Sequence, residues 1–350
     1  MSINLNLLKK ICEMPGAPGF EQRIRKVVID EVTPLVDSVE VDNMGNVYAL
    51  KKGQTNTEGK KALVAAHMDE ISFIVTHIDE NGFVRFHTLG GFDAKTLTAQ
   101  RVIVHGKKDL IGVMGSKPVH VMTQEERNKN PRTTDYFIDL GLPREEVERL
   151  VTIGDPVTRE RELIEMGNMV SGKSLDNRVS VFILIEALRN LKNYPYDVYG
   201  VFTVQEEVGI RGARVAAHRI NPDFGIGLDT TVSYDVPGST AHEHVTKLGD
   251  GAAIKIMDSS IICDYRMVDF LKATADKNSI KYQPEVLTAG GTDTSALQQF
   301  GKNSAIAGAI SIPTRYLHQV IETCHKQDIQ DCIQLLTASL ETLDKYHWYH

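Results

Sequence analysis

The sequence has few cysteines, no long apolar run and no leader-like start, and each absence excludes a class of protein. Four cysteines lie far apart without a close CxxC pair, as is typical of reduced structural thiols and not of a disulfide scaffold: Cys12, Cys263, Cys324 and Cys332. No apolar run approaches the roughly 20 residues that a membrane helix requires. The start MSINLNLLKKICEMPG lacks the basic-then-apolar layout of a signal peptide. We therefore expect a cytoplasmic protein without a membrane partner.

Positive charge is also scarce. The chain carries 39 Lys and Arg residues against 46 Asp and Glu residues, which gives a formal net charge of −7. Proteins that bind nucleic acid normally carry a basic surface. The densest basic cluster, KKGQTNTEGKK at 51–61, is interrupted by Gly, Asn and Thr and is interpreted as a solvated loop. We therefore expect no nucleic-acid partner.

The residues that are present favour an α/β fold. The chain has 350 residues, of which 42% are hydrophobic, enough for two domains or for one domain with an insertion. KALVAA (61–66) predicts a buried central strand. From Ser174 onward helical and strand patterns alternate, and the last helix is predicted from 321 to 347. This alternation predicts a mostly parallel sheet with helices on both faces.

A different pattern interrupts this fold. Between about Ile71 and Arg161, short alternating runs such as FIVTHI, FVRFHTL and LIGVMGS are separated by Asn-Gly, Gly-Gly and Lys-Asp signals. We interpret 71–161 as an inserted small β-rich domain. The remaining segments, 1–70 and 162–350, then form one discontinuous catalytic domain.

Titratable side chains recur where the predicted strands of this domain end. In a sheet of this kind, ligands bind at the carboxyl ends of the strands. His67 and Asp69 follow KALVAA and, two residues apart in extended backbone, should point the same way. The other side chains expected at this edge are Asp176 at a helix start, Glu206 and Glu207 after VYGVFTVQ, Asp229 after FGIGL, and His318 after SAIAGAISIPTRYL.

Such a cluster repels itself unless cations hold it together. Imidazole combined with carboxylate suits zinc, cobalt or manganese, whereas calcium and magnesium prefer all-oxygen ligand sets. Each residue also has a structural interpretation: a hydrogen-bonded histidine, a solvated glutamate pair, a helix cap or a turn. Their joint occurrence at one predicted edge favours a catalytic metal site, in which one glutamate binds metal and its neighbour holds a water.

Six motifs carry a resemblance to a known family. AAHMDE, SLDNRV, VQEEVGIRGA, GLDTT, GGTDTSA and RYLHQVIE occur in this order. The chain resembles the tetrahedral (TET) dimetal aminopeptidases over nearly its whole length, a family that includes glutamyl and deblocking aminopeptidases and members labelled endoglucanases. The resemblance implies a zinc-peptidase-like fold, peptide substrates with a free amino terminus, and an insertion through which dimers form and assemble into a hollow dodecamer.

The resemblance also implies roles for the clustered residues. Asp176 would bridge two divalent metals, zinc with cobalt or manganese as alternatives. Glu206 would be the general base, and Asp69 would orient His67 through its second ring nitrogen. The implied ligands are His67, Asp176 and Asp229 for one metal and Asp176, Glu207 and His318 for the other.

Other polar segments have more than one interpretation. The glycine-rich GGTDTSA lacks the lysine of a phosphate-binding loop, so Gly290, Gly291, Thr292 and Asp293 are either a backbone-lined substrate wall or a tight turn. AHEH (241–244) is either a third metal site or an exposed loop, and HWYH at the carboxyl terminus is interpreted as a frayed helix end. Three cations either select an acidic substrate residue or form structural ion pairs: Lys247, Arg266 and Arg315.

The function predicted from these residues is a metal-dependent aminopeptidase in which two metals share Asp176 and Glu206 activates water. One alternative is a glycoside hydrolase that uses two carboxylates without metal, although such an enzyme has no need of the histidines. A second alternative is a non-catalytic metal-binding assembly protein.

Overall fold

The computed structural model describes residues 3–349, which form a large mixed sheet, a small barrel and nine helices. The strands of the described chain are β1 (Ser38–Val41), β2 (Val47–Lys51), β3 (Lys61–His67), β4 (Ser72–Ile78), β5 (Val84–Leu89), β6 (Arg101–His105), β7 (Asp109–Ser116), β8 (Tyr136–Asp139), β9 (Pro156–Arg159), β10 (Ile164–Met166), β11 (Met169–Gly172), β12 (Asp197–Thr203), β13 (Phe224–Val232), β14 (Ala252–Met257), β15 (Tyr282–Val286), β16 (Ile306–Arg315) and β17 (Glu322–His325). The helices are α1 (Leu5–Glu13), α2 (Gln22–Val32), α3 (Gln124–Asn128), α4 (Arg144–Leu150), α5 (Leu175–Asn190), α6 (Arg211–Ile220), α7 (Tyr265–Lys277), α8 (Asp293–Gln299) and α9 (Lys326–Leu340).

The large sheet is parallel at its centre and mainly antiparallel outside it, although the outlying pair β14–β15 is parallel. Its 11 strands follow the order β1-β2-β12-β3-β13-β16-β17-β11-β10, with β14 and β15 attached beside β16. Strands β12, β3, β13 and β16 run parallel. Six pairings in the rest of the sheet are antiparallel. The prediction of a mostly parallel sheet therefore fits the centre and is wrong for most of the surrounding strands, because hairpins and reversed strands pair there in antiparallel fashion.

The central strands are buried on both faces, as KALVAA predicts. Along β3, Ala62, Val64 and Ala66 enter the main apolar core with α1, α2, α5, α7 and α9. The alternate residues Leu63 and Ala65 enter a second core with α6 and α8 on the opposite face. The α/β arrangement with helices on both faces follows from this double burial.

The segment between β3 and β10 forms a closed antiparallel barrel. Its strands follow the order β4-β5-β8-β7-β6-β9 and enclose their own apolar core, which includes Phe73, Val102 and Val157. Phe73 stacks on Phe92 with ring centroids 4.6 Å apart. These strands lie inside the segment 71–161 that the sequence assigns to a β-rich insertion.

Two predictions at the end of the chain are wrong. The last helix does not begin at 321, because residues of IETCH form β17, which pairs with β11 and β16, and α9 begins at Lys326. The terminus HWYH is also not a frayed helix end as far as the structure describes it. Trp348 donates from Nε1 to the carbonyl of Leu343 at 2.6 Å and packs on Phe224 and Phe270. His350 lies outside the described residues.

Two findings concern the cysteines and the helices of the described chain. All four cysteines are buried and unpaired. Among the described residues, no helix is both long and apolar enough to cross a bilayer.

Candidate metal centre

Four central strands deliver side chains to one cleft at their carboxyl ends. His67 is the last residue of β3, Asp229 lies within β13, and the segment after β12 carries Glu206 and Glu207. His318 follows β16. These side chains line a cleft of about 520 Å³ together with Asp176 from the start of α5. The structure therefore brings together the cluster that the sequence places at this edge.

His67, Asp176 and Asp229 form the first triad. The Nε2 atom of His67 lies 3.4 Å from Oδ1 of Asp176 and 3.7 Å from Oδ1 of Asp229. One donor atom from each residue lies within 4.8 Å of the others, and all three residues are buried. That spacing leaves room for a single ion between three ligand atoms.

Asp176, Glu207 and His318 form the second triad. The Nε2 atom of His318 lies 3.4 Å from Oδ2 of Asp176 and 3.7 Å from Oε2 of Glu207. Asp176 thus directs one carboxylate oxygen to each triad, Oδ1 to the first and Oδ2 to the second. The described residues hold no further grouping of this kind.

Glu206 lies beside the first triad and belongs to neither triad. Its Oε2 atom is 3.8 Å from Nε2 of His67, and its side chain is only 10% exposed. Burial, together with the charges of Asp229 and Glu207, raises the pKa of Glu206 well above its ordinary value. A carboxyl group with a raised pKa beside open ligand positions is suited to accept a proton.

Asp69 acts on the glutamates more directly than on His67. Its carboxylate accepts the amide of Glu206 at 3.0 Å and the amide of Glu207 at 3.1 Å. Nδ1 of His67 lies 3.0 Å from the backbone carbonyl of Asp69 and 3.6 Å from its carboxylate. The contact at hydrogen-bond distance is the one to the backbone carbonyl, and the role of the Asp69 carboxylate in orienting His67 stays a prediction.

Asp176 is held by the segment that precedes it. Lys173 donates to both carboxylate oxygens of Glu70, at 2.8 and 2.6 Å, and the hydroxyl of Ser174 also donates to Glu70. Arg178 donates to the carbonyls of Ile11, Met14 and Met68. The start of α5 is thus tied by buried charges to the segment that follows β3 and to the amino-terminal segment.

The electrostatics of the cluster call for cations. Burial and the charge of Asp176 raise the pKa of Glu207 to about 8, and burial also raises the pKa of Asp229. Burial alone would lower the pKa of His318, but its contacts with Asp176 and Glu207 raise it to about 10. Carboxylates outnumber imidazoles here, so protons or metal ions must neutralise them. The mixed nitrogen and oxygen donors fit two zinc-like divalent ions, each with three protein ligands and open positions.

The glycine-rich segment lines the cleft, as expected for a substrate wall. Gly290, Gly291 and Thr292 lie along it. Asp293 does not. It is buried at the start of α8, where its Oδ2 atom accepts the hydroxyl of Thr203 at 2.5 Å. The wall interpretation therefore fits three of the four residues.

The remaining polar candidates lie outside the cleft. AHEH begins with an exposed 3₁₀ turn, Ala241–Glu243, and its half-buried His244 contacts Ser239; these residues form no triad. Arg315 pairs with Asp235 at 2.6 Å and Arg266 pairs with Asp264 at 2.6 Å, so both are structural ion pairs. Lys247 is also absent from the cleft lining.

Sequence reasoning missed several residues of this site. Lys255 lines the cleft fully buried, paired with Glu285 at 2.5 Å and with Asp258 at 3.2 Å. Glu322 accepts two amides of the second triad. Glu322 is the last residue of the motif RYLHQVIE, but nothing in the sequence shows that its side chain is buried.

Comparisons with known proteins agree on one family. The family model described as M42 glutamyl aminopeptidase matches residues 45–335. The chain is 35% identical to lysyl aminopeptidase from Pyrococcus furiosus, covering 97% of this chain and 98% of the relative. Its structure is similar to aminopeptidase APDkam598 from Desulfurococcus kamchatkensis, with a TM-score of 0.92 and 37% identity over 96% of this chain and 94% of the other.

A third similar protein is known for its assembly. The TET1 peptidase of Pyrococcus horikoshii is 33% identical, with a TM-score of 0.85 over 96% of this chain and 98% of the other. That protein can assemble into a tetrahedron or a large octahedral shell.

Proposed function

This chain belongs to the M42 glutamyl aminopeptidase family and is an aminopeptidase, and we propose that it uses two divalent metal ions to remove single residues from peptides with a free amino terminus. The ligands would be His67, Asp176 and Asp229 for one ion and Asp176, Glu207 and His318 for the other. Zinc is the expected metal, with cobalt and manganese as alternatives that the same donors accept.

The observation that carries this proposal is the division of the Asp176 carboxylate. One oxygen lies 3.4 Å from the histidine of the first triad and the other lies 3.4 Å from the histidine of the second. A carboxylate that bridges in this way holds two ions close together, as in dinuclear hydrolases. A structural zinc site would close its ligand set around one ion.

The chemistry divides between the ions and the protein. When bound, the ions would supply a water acidic enough to attack at neutral pH, polarise the scissile carbonyl and offer a position for the free amino group. Glu206 would take the proton of that water and deliver it to the leaving amine. Asp69 would keep Glu206 and Glu207 aimed at the cleft through their amides, and Gly290, Gly291 and Thr292 would line the peptide.

We also propose that the chain self-associates through the barrel, from a dimer to a dodecamer, and acts on peptides in the cytoplasm. Several large apolar side chains of the barrel are exposed, among them Ile111 at 68%, Val121 at 62% and Ile153 at 66%. Contiguous exposed apolar patches mark contact surfaces, and we propose that these side chains contribute to one. Self-association is also supported by the TET1 peptidase named above, which can assemble into a tetrahedron or a large octahedral shell.

A direct test is hydrolysis of aminoacyl-p-nitroanilides by metal-depleted protein to which zinc, cobalt or manganese is added. We expect metal-dependent release from free-amino substrates and none from the matched N-acetylated substrates. A parallel assay with a cellulose substrate tests the alternative that the protein is a glycoside hydrolase. Cleavage of cellulose that resists a chelator would contradict the proposal, and so would binding of metal without any hydrolysis.

A further inference from the structure

The backbone N–H and the backbone carbonyl of His318 each form a hydrogen bond with a buried charged side chain. Its amide donates to Oε1 of Glu322 at 2.9 Å, and its carbonyl accepts from Nη1 of Arg159 at 3.1 Å. Glu322 is 1% exposed and Arg159 is 2% exposed. Hydrogen bonds to buried charged groups are the stronger kind and fix geometry closely.

Glu322 also accepts a hydrogen bond from the backbone of Asp176, another member of the second triad. Its Oε2 atom accepts the amide of Asp176 at 2.9 Å. One carboxylate therefore ties together the backbones of Asp176 and His318, which are far apart in sequence. The third member, Glu207, is held separately through Asp69.

His318 depends on these contacts more than the other triad residues do. It lies in the loop between β16 and β17 with a φ of +61°, a left-handed conformation that is unfavourable for a side-chain-bearing residue. Its side chain is 39% exposed, whereas that of His67 is 2% exposed. His67 ends a central strand, so the sheet already fixes it.

Arg159 brings the barrel into this arrangement. It is the last residue of β9, and its guanidinium lies over the ring of Phe92, 5.6 Å from the centroid. Phe92 stacks in turn on Phe73 of the barrel core. Within residues 3–349, the Nε and Nη2 atoms of Arg159 have no hydrogen-bond partner. In the part of the chain that the structure describes, the guanidinium of this buried cation therefore makes one hydrogen bond, to the carbonyl of His318.

We propose that Glu322 and Arg159 are positioning residues that set the affinity of the second metal, with Arg159 coupling the barrel to it. This inference rests on the proposed two-metal function. Neither side chain is a ligand: Arg159 acts through His318, and Glu322 acts through the backbones of His318 and Asp176. The first metal should be affected less, because His67 and Asp229 lie on strands and Asp176 has further anchors in Lys173 and Ser174.

The test is a cobalt titration of metal-depleted protein, followed by calorimetry and by the visible absorption of bound cobalt. Wild type should take up two equivalents. In Glu322→Gln, the side-chain NH2 group faces one of the two backbone N–H groups, so that hydrogen bond is lost. The second equivalent of cobalt should therefore bind about 10–100-fold more weakly, while the affinity for the first changes little. Arg159→Gln should weaken the second equivalent as well. In both variants the absorption of the second cobalt should change, which a loss of stability alone would not cause.

Asp328→Asn is a matched control. Asp328 is also a fully buried carboxylate, and its two oxygens accept the amides of Gly249 and Gly251 at 2.8 and 2.9 Å, outside the cleft lining. This variant should lose thermal stability and keep both cobalt affinities.

Wild-type affinity and absorption for the second cobalt in both Glu322→Gln and Arg159→Gln would overturn the inference. An equal loss in Asp328→Asn would also overturn it, because the effect would then be one of general stability. If Glu322→Gln does not fold by circular dichroism, Arg159→Gln decides alone. Uptake of fewer than two equivalents by the folded wild type would contradict the proposed function itself, and the inference with it.

Discussion

Replacing Glu206 by glutamine should remove most of the turnover and leave both metals bound. Glu206 lies 3.8 Å from His67 but belongs to neither triad. The amide keeps the shape of the side chain and removes only its ability to accept a proton. General acid–base catalysis by one group typically contributes about 10²–10⁴-fold. We therefore expect kcat to fall by that factor, or about 3–5 kcal/mol of transition-state stabilisation.

Glu207→Gln is the matched control, because it is the same chemical change at the adjacent residue. Glu207 lies in the second triad, 3.7 Å from His318. This variant should lose affinity for the second metal, and high metal concentration should restore part of its activity. Added metal should not rescue Glu206→Gln.

The assay combines hydrolysis of a free-amino anilide with metal content by plasma mass spectrometry. Thermal unfolding of the metal-free proteins adds a further readout. Because burial and neighbouring carboxylates disfavour the ionised form of Glu206, its replacement should not lower the melting temperature. Near-wild-type kcat in Glu206→Gln would refute the assignment of the base. Loss of metal from this variant would show that Glu206 is a ligand.

Three other measurements test the surroundings of the site. Lys173→Met removes the nearer of the two cations beside buried Glu70 and leaves only Arg178, 3.6 Å away, so it should cost up to about 3–5 kcal/mol in urea unfolding. Zinc uptake at pH 7 should release protons, which calorimetry in two buffers would measure. The raised pKa values of about 8 for Glu207 and about 10 for His318 keep both side chains protonated in the metal-free protein. Metals bind the deprotonated forms, so these protons must leave. Affinity should therefore increase as the pH rises through about 8. A thiol reagent should modify none of the cysteines in the native protein, since all are buried, and all of them after unfolding.

Each of these three measurements has an outcome that would contradict the structure. Unchanged stability in Lys173→Met would mean that the buried ion pair is not formed. Zinc uptake without proton release would mean that the ligands are already deprotonated. Fast labelling of a thiol in the native protein would mean that the core around it is open.

The parallel centre of the sheet was predictable because its strands are short apolar runs that can be recognised from their own residues. KALVAA and FGIGL are apolar on both faces, and each leads into a titratable side chain. Parallel strands bring their carboxyl ends together, so the cluster could be placed at one edge from the order of motifs alone. The two triads are consistent with that placement.

The elements that sequence reasoning missed depend on distant partners. AAIKIM forms β14 with Lys255 buried in its middle, and that burial is tolerated only because Glu285 and Asp258 pair with the ammonium. Residues of IETCH join β11 and β16 instead of extending α9, since strand pairing overrides their local preference. Trp348 packs on Phe224, a contact that local pattern cannot show.

The central claim is that hydrolysis requires both ions of the centre bridged by Asp176. The most direct measurement is the release of p-nitroaniline from a free-amino aminoacyl anilide as zinc is added stepwise to the metal-depleted protein. The account predicts no release without zinc, a rise that ends at two equivalents per chain, and no recovery in Asp176→Asn at the same zinc concentrations. Full activity at one equivalent, or full activity in Asp176→Asn, would contradict it.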